Sequence, residues 1–306
     1  MTDLNFELIR IVIALAGTAY VAWEDLHTSF MDERVLYLMA GAGLVLNLLV
    51  WEWNFLLSSV GLAAVILVGG YAFYKAGQLG FGDVWLFTAL QLLLPFSPVL
   101  LVGAFSGAIG SVVPNFPSTV LLASALGGRI YPFLVSIAAA SALFALWGSA
   151  LLYAWKLREK RLKPDAGILV GMLLALGILL YFMNGNLHAS TGLNALLVLL
   201  FVPGVFLTSF KRQLMDEIVI QRIPISKVED EDILAVEKMS ARLVKKYNLG
   251  RVLTESEVAK LRKIQRIEGI RRFPVCKVLP RFGPYILLGL LASLLVGDVF
   301  AFALLL

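Results

Sequence analysis

Two aspartates stand where apolar segments of the chain begin or end. Asp25 closes the first long apolar run, in Ala-Trp-Glu-Asp-Leu, and Asp83 opens the fourth, in Gly-Phe-Gly-Asp. Two further apolar runs, near 35–51 and 56–74, lie between them and would form a hairpin that returns the chain to the same side. We therefore expect the two carboxylates to lie at one level and to be able to meet.

A close pair of carboxylates suits the water-mediated hydrolysis of a peptide bond. One carboxylate, ionised, accepts a proton from water, while the other, protonated, donates a proton to the scissile carbonyl. Because like charges in contact do not both ionise easily, such a pair holds its proton without a metal ion. The sequence therefore predicts Asp25 and Asp83 as a catalytic dyad that needs no metal and no cofactor.

The residues before Asp83 are candidates for a supporting or substrate-binding role. Gly80 and Gly82 allow backbone conformations that other residues rarely adopt, and they let a substrate strand approach the chain closely. Phe81 stands between them, and we place it in the same group. Lys75 lies just upstream, where its amine either reaches the membrane surface or biases the charges of the dyad.

Both aspartates also have simpler interpretations. Asp25 could be an ordinary charge at the membrane end of a helix. The string Gly-Phe-Gly-Asp at 80–83 could be only a turn and a helix cap, since Asp is a favoured N-cap residue. The alternatives stay open on the residues alone, although the placement of the string after a hairpin favours the dyad.

The composition of the chain is that of a membrane protein. Hydrophobic residues make up 59% of the 306 residues, charged residues 15%, and the mean hydropathy is +0.86. A soluble domain has about 45–50% apolar and about 25% charged residues. A helix needs about 20 apolar residues to cross a hydrocarbon core of about 30 Å, and runs of that kind recur along the chain. We therefore expect an all-α membrane protein.

Eight apolar runs predict about eight transmembrane helices. They lie near residues 6–24, 35–51, 56–74, 84–112, 131–155, 166–183, 190–209 and 284–305. The fourth run is too long for one straight crossing and contains Pro95 and Pro98, which kink or break helices. It predicts either one kinked span or a span followed by a re-entrant segment.

The basic residues predict the orientation in the plasma membrane. With the N-terminus outside, 24 of the 26 Lys and Arg residues fall on the cytoplasmic side, including the five in the short loop 156–163. The predicted topology is therefore N-out and C-out, with the dyad cytoplasmic. The first run begins Met-Thr-Asp and has no basic residue before Arg10, so we interpret it as a retained span and not a cleaved signal peptide.

A polar region interrupts the apolar pattern and divides the chain into three parts. Residues 1–210 would hold transmembrane helices 1–7 with the dyad, 211–281 a small helical cytoplasmic insert, and 282–306 the last transmembrane helix. Apolar residues at helical spacing predict a helix with one apolar face over 230–247. The pattern Thr-Glu-Ser-Glu at 254–257 has the form of a capping box and predicts the start of another.

The insert is strongly basic, with 17 basic and 10 acidic residues. Attraction to anionic lipid headgroups is the simplest explanation for such a region beside a membrane. Nucleic-acid binding is the less favoured one, because no aromatic interleaving or known motif supports it. Contact with substrate is a third possibility. The single cysteine, Cys276, excludes an intramolecular disulfide and a cysteine-based zinc site.

These residues together resemble a known family. The string Gly-Phe-Gly-Asp at 80–83, with Asp25 upstream, is similar to the GxGD aspartyl peptidases, and specifically to type IV prepilin and prearchaellin (preflagellin) peptidases. The insert, the Pro-rich junction 280–285 and the Leu-rich last span resemble archaeal members. The resemblance implies cleavage of class III signal peptides of prepilin-like or prearchaellin precursors at the cytoplasmic membrane face, with Asp25 and Asp83 as the two catalytic carboxylates.

The chain departs from the bacterial pattern of that family. Bacterial members commonly follow the first aspartate with a basic residue and Ile-Pro-Asn, whereas this chain reads Leu-His-Thr-Ser-Phe at 26–30. They often carry a lysine two residues after the second aspartate, where this chain has Trp85. Bacterial enzymes often have a four-cysteine zinc region and a methyltransferase activity, which one cysteine does not support. The differences favour an archaeal-type peptidase.

Two other functions compete with this interpretation. An ion- or proton-coupled transporter also uses intramembrane carboxylates and Gly/Pro-interrupted spans, although its site lies near the midplane and is often accompanied by inverted repeats. Peptidases similar to signal peptide peptidase and presenilin share the GxGD feature. They usually place the dyad later in the chain and carry a Pro-Ala-Leu motif, which this sequence lacks.

Overall fold

A computed structural model describes residues 4–50, 52–96, 98, 132–186, 191–228, 232–277 and 280–297. Seven long helices precede the polar insert in the described ranges. They are α1 Leu4–Thr28, α2 Glu33–Val50, α3 Trp53–Lys75, α4 Phe81–Leu93, α5 Phe133–Lys160, α6 Ala166–Asn186 and α7 Thr191–Ser209. Six of them are long and apolar enough to cross a membrane, α4 being the exception. The predicted all-α membrane architecture is confirmed.

Helix α4 is shorter than its apolar run suggested. It ends at Leu93, just before Pro95, one of the two prolines at which the sequence predicted a kink or break. The cause is Pro95, which has no backbone N–H and disfavours helical geometry at the preceding Leu94. The 13 residues of α4 rise only about 20 Å, less than the hydrocarbon thickness. Residues 99–131, where a kinked or re-entrant segment was predicted, lie outside the described residues.

The insert contains short helices and one small sheet. Its described elements are α8 Lys211–Leu214, a π-helical turn Met215–Val219, β1 Ile220–Ile223, a 3₁₀ turn Ile225–Lys227, β2 Ile233–Leu234, a 3₁₀ turn Val236–Lys238, α9 Ala241–Tyr247, α10 Glu255–Glu268 and β3 Phe273–Cys276. The three strands are antiparallel, with β3 between β1 and β2. A last helix, α11, then runs over Gly283–Val296.

The predicted helix across 230–247 is wrong in its first half. Ile233 and Leu234 pair instead with Cys276 and Val275 of β3, and the helix is confined to α9. Apolar residues spaced three apart fit the helical period, but the sheet and the buried core around Leu234 and Leu253 override it. The second predicted helix forms as α10 after Thr254, whose hydroxyl contacts Ser256 rather than capping the helix.

The polar insert lies against the same end of the helices as the two aspartates. Gly77, in the turn between α3 and α4, approaches Arg251 of the insert so closely that an added Cβ would lie 3.6 Å from its Cβ. The amine of Lys160, at the end of α5, forms an ion pair with Glu217 at 3.9 Å. Helices α1, α3, α5 and α7 therefore end at this side, where α2, α4, α6 and α11 begin.

Helix α4 is the most enclosed of the described apolar helices. Its residues from Asp83 to Leu93 are largely buried, among them Leu86, Leu90 and Leu93, which are 0% exposed. Gly43 of α2 makes the close approach possible, because an added Cβ would lie 2.8 Å from the carbonyl carbon of Leu92. The helix that carries Asp83 is therefore rigidly held.

A buried polar network closes the opposite end of α4. Arg10 of α1 donates from Nη1 to the carbonyl of Leu93 at 3.1 Å and to Oδ1 of Asn47 at 2.7 Å. Asn47 in turn donates to the carbonyl of Leu92 at 3.0 Å and to the hydroxyl of Ser59 at 2.9 Å. The last carbonyls of a helix have no intrahelical donor, and these side chains supply one.

Candidate active site

Asp25 lies near the end of α1 and is only 6% exposed. Its Oδ2 accepts a hydrogen bond of 2.9 Å from the backbone N–H of Gly283, the first residue of α11. The N-terminus of a helix carries unpaired N–H groups and a partial positive charge, both of which favour an anion. The hydrogen bond and the helix N-terminus therefore favour the ionised carboxylate and oppose the cost of burying its charge.

Asp83 is the third residue of α4 and is 7% exposed. Its Oδ2 accepts a hydrogen bond of 3.1 Å from the N–H of Gly80, so the side chain caps the start of its own helix. Its Oδ1 is buried and makes no hydrogen bond within the described part of the chain. A buried ionised oxygen without a donor costs much free energy, which a proton on that oxygen would relieve.

Met31 connects the surroundings of the two carboxylates. An added Cβ at Gly82 would lie 3.0 Å from Sδ of Met31, and one at Gly283 would lie 3.1 Å from its Cε. The methionine thus touches the glycine before Asp83 and the glycine that binds Asp25. The two carboxylates lie close enough for their charges to interact.

The other predicted site residues form an aromatic cluster beside Asp83. The ring of Phe81 packs against Tyr74 at 5.3 Å and against Trp85 at 6.3 Å between centroids. The amine of Lys75 lies 5.3 Å from the ring centroid of Tyr71 and 6.0 Å from that of Tyr74. Lys75 is exposed, and this position supports a role at the membrane surface more than an influence on the dyad.

Three residues of the site were not identified from the sequence. Gly283 donates to Asp25, and Met31 lies against Gly82 and Gly283. The positive charge of Arg281 acts on Asp25. The Pro-rich junction 280–285 was noted as a family feature, but nothing in it signals a contact with a residue 258 positions earlier. Met31 carries no recognisable signal.

The arrangement can carry out acid–base chemistry without a metal. Within the described ranges, no group of three or more His, Cys, Asp or Glu side chains is placed to hold a metal ion. Two carboxylates can activate water and protonate a carbonyl when one is ionised and the other is not.

Comparisons with known proteins agree with this chemistry. Residues 12–131 match the type IV leader peptidase family. The prepilin peptidase EppA of Methanothermobacter thermautotrophicus (strain Delta H) is 32% identical over 136 residues, which cover 42% of this chain and 34% of the relative. This chain therefore spans only about a third of that relative in the alignment.

No solved structure gives a significant match. The family match nevertheless includes both aspartates, the intervening hairpin and the glycines before Asp83. The segment 12–131, which holds both aspartates, is therefore similar to the type IV leader peptidase family.

Proposed function

We propose that the protein is a membrane aspartyl endopeptidase that removes leader peptides from prepilin-like or prearchaellin precursors. The observation that carries the proposal is the pair of buried carboxylates of Asp25 and Asp83, which lie within electrostatic reach of each other at the ends of two helices. The family match and the prepilin peptidase activity named for the archaeal relative support the same reaction class.

The surroundings of the two aspartates support different roles for them. Asp25 accepts a hydrogen bond from the N-terminal N–H of α11, and the positive charge of Arg281 acts on it. It therefore acts as the ionised general base that takes a proton from water. Asp83 has one oxygen without a donor, so it carries the proton and donates it to the scissile carbonyl. The amine leaving group then receives its proton from the carboxyl that Asp25 has become.

The position of the dyad supports a precursor that enters from the membrane surface. Asp25 lies three residues before the end of α1 and Asp83 is the third residue of α4. A peptide bond just outside a hydrophobic segment would meet the carboxylates while that segment lies in the bilayer. The same placement favours a peptidase over an ion- or proton-coupled transporter, whose site lies near the midplane.

We further propose that the dyad and the insert face the cytoplasm of the cell, with the N-terminus outside. The basic loop 156–163 and the insert 211–281 lie at the same end of the helices as Asp25 and Asp83, as the positive-inside rule requires. A Cys276→Ser protein with one cysteine placed at exposed Arg266 should react with impermeant maleimide only after the cytoplasmic side is opened. Labelling of intact cells would contradict the orientation.

The function is tested by a cleavage assay on purified protein in detergent. The wild type and the variants Asp25→Asn and Asp83→Asn are incubated with a panel of prepilin-like and prearchaellin precursors, and the cut site is read by mass spectrometry. Wild type alone should cut before the hydrophobic segment. Asp165→Asn is the matched control, since Asp165 caps α6 at the same end of the molecule.

Two outcomes would contradict the proposal. If well-folded wild type cuts none of the precursors, the activity is not the proposed one. If either dyad variant keeps near-normal turnover, the carboxylates have been assigned wrongly. If Asp165→Asn also lost cleavage, the loss in the dyad variants would be explained by damage to the fold at this end of the helices.

A further inference from the structure

The start of α11 contributes a hydrogen-bond donor to the candidate site. The N–H of Gly283 is the first of α11, and it points at Oδ2 of Asp25 from 2.9 Å. No other hydrogen bond to the carboxylate of Asp25 is recorded within the described residues. The orientation of that carboxylate therefore depends on where α11 begins.

Position 283 has no space for a side chain. An added Cβ would lie 2.9 Å from Oδ2 of Asp25, 3.2 Å from Cβ of Asp25 and 3.1 Å from Cε of Met31. Gly283 is not among the glycines with positive φ, so its backbone conformation is open to other residues. The glycine is needed for the close approach alone.

Helix α11 is fixed against α5, so the N–H of Gly283 cannot easily follow a displaced carboxylate. Gly289 lies directly against Ser141, and the hydroxyls of Ser136 and Ser293 are 3.2 Å apart. Phe282, just before Gly283, packs against Phe87 of α4 with 6.2 Å between ring centroids. The donor is held between the helix that carries Asp83 and the helix that supports α11.

Arg281 adds a positive charge on the same side of Asp25. Its side chain is exposed and its charge acts on the carboxylate. Among the described residues, no cation is recorded as acting on Asp83, whose recorded partners are Gly80 and Asp25. Within the described residues, the junction between the insert and α11 therefore supplies a donor and a positive charge to Asp25 but not to Asp83.

We propose that Gly283 is a positioning residue for the hydrolysis inferred above. Its N–H holds the carboxylate of Asp25 in the ionised form and in the orientation needed to take a proton from water, and Arg281 strengthens this preference. The inference rests on the proposed peptidase function. It gives the last helix, 200 residues beyond the GxGD string, a part in the catalytic centre.

Gly283→Ala tests the proposal, with Gly289→Ala as the matched control on the same helix. The cleavage rate is measured against pH and precursor concentration for both variants. In Gly283→Ala, kcat should fall about 100-fold, the loss expected from a misplacement of about 1 Å, while KM stays near the wild-type value. The acidic limb of its pH–rate profile should move to higher pH, because the ionised form of Asp25 has lost its donor.

Gly289→Ala should instead lower the melting temperature, since its added Cβ meets Ser141 far from the carboxylates. At temperatures where it is folded, its pH–rate profile should match that of the wild type. A purely structural role of α11 would make the two variants behave alike, with lower stability and an unshifted profile, and would overturn the proposal.

Arg281→Gln provides a test that does not depend on packing, because the side chain is exposed. Its acidic limb should move in the same direction by a smaller amount, and added salt should reduce the difference from wild type. An active wild type together with unshifted profiles in both Gly283→Ala and Arg281→Gln would refute the inference. An inactive wild type would instead refute the proposed function.

Discussion

The two ends of α4 both bury charged side chains. At one end the side chain belongs to a hydrogen-bonded network with backbone carbonyls, and at the other it lies beside a second carboxylate. At the far end, Arg10 and Asn47 supply donors to the carbonyls of Leu92 and Leu93, which the helix itself leaves unpaired. At the near end, Asp83 keeps one buried oxygen without a donor and has a second carboxylate, Asp25, within electrostatic reach.

The contrast separates a structural polar site from a candidate catalytic one. Buried polar groups are normally paired, because leaving one unpaired costs about 1–3 kcal/mol. The network of Arg10 pairs the helix carbonyls and fixes the depth of α4 in the bundle, although Nη2 of Arg10 has no partner among the described residues. The dyad differs because its unpaired atom, Oδ1 of Asp83, belongs to a carboxyl group beside a second carboxylate. A pair of this kind can exchange protons with water and substrate.

The largest effect should separate activity from stability at the dyad end. Asp83→Asn keeps the shape of the side chain but removes the exchangeable proton, so cleavage should fall by about 10³-fold or more. The melting temperature in detergent should stay near the wild-type value, because the amide replaces a protonated carboxyl of the same shape and can still accept from the N–H of Gly80. A stability loss that matches the activity loss would place Asp83 with the structural network instead.

The far end should show the opposite pattern. Arg10→Met leaves the carbonyl of Leu93 and Oδ1 of Asn47 without their donor, and the free energy of unfolding should fall by about 2 kcal/mol. At temperatures where the variant is folded, most of the cleavage activity should remain. Arg10→Lys keeps one donor and should recover part of the stability; a large loss of activity in folded Arg10→Met would show that the two ends are coupled.

Packing against the far end of α4 gives the next prediction. Gly43→Ala places a Cβ 2.8 Å from the backbone of Leu92, so α2 must shift, and we expect a loss of about 1–3 kcal/mol in stability. Gly41→Ala, two residues away on the same helix, meets nothing within 4 Å and should be neutral or slightly stabilising. Equal melting temperatures for the two variants would contradict the close approach of α2 to α4.

The sequence predicted the near end of α4 better than the far end, and the reason is physical. The hairpin of apolar runs between Asp25 and Asp83 requires the two residues to lie at one level, whatever the details of packing. The contact of Asp25 with Gly283 joins residues 258 positions apart through a backbone N–H, which leaves no pattern in side-chain type. Arg10 was recognised only as a residue inside the first span, because its partners are mostly backbone carbonyls.

The insert shows a different limit of sequence reasoning. Its strands are two to four residues long, and the apolar residues of β2 continue into turns at a spacing that mimics a helix. Only the pairing of β2 with β3, some 40 residues later, distinguishes a strand from a helix in this segment. In α10, by contrast, the apolar face and the start at Thr254 are local features, and the prediction from sequence is confirmed.

The smallest expected effect tests whether the far-end network extends to α3. Ser59 is 1% exposed and its hydroxyl accepts from Asn47, so Ser59→Ala should lower the free energy of unfolding by about 0.6–1 kcal/mol. Ser58→Ala is the matched control, because Ser58 is exposed and its hydroxyl donates to the carbonyl of Phe55 within its own helix. The melting temperatures of Ser59→Ala and Ser58→Ala, measured in the same detergent, distinguish the two variants. If the two variants melt together, the network ends at Asn47, and the depth of α4 is set by α1 and α2 alone.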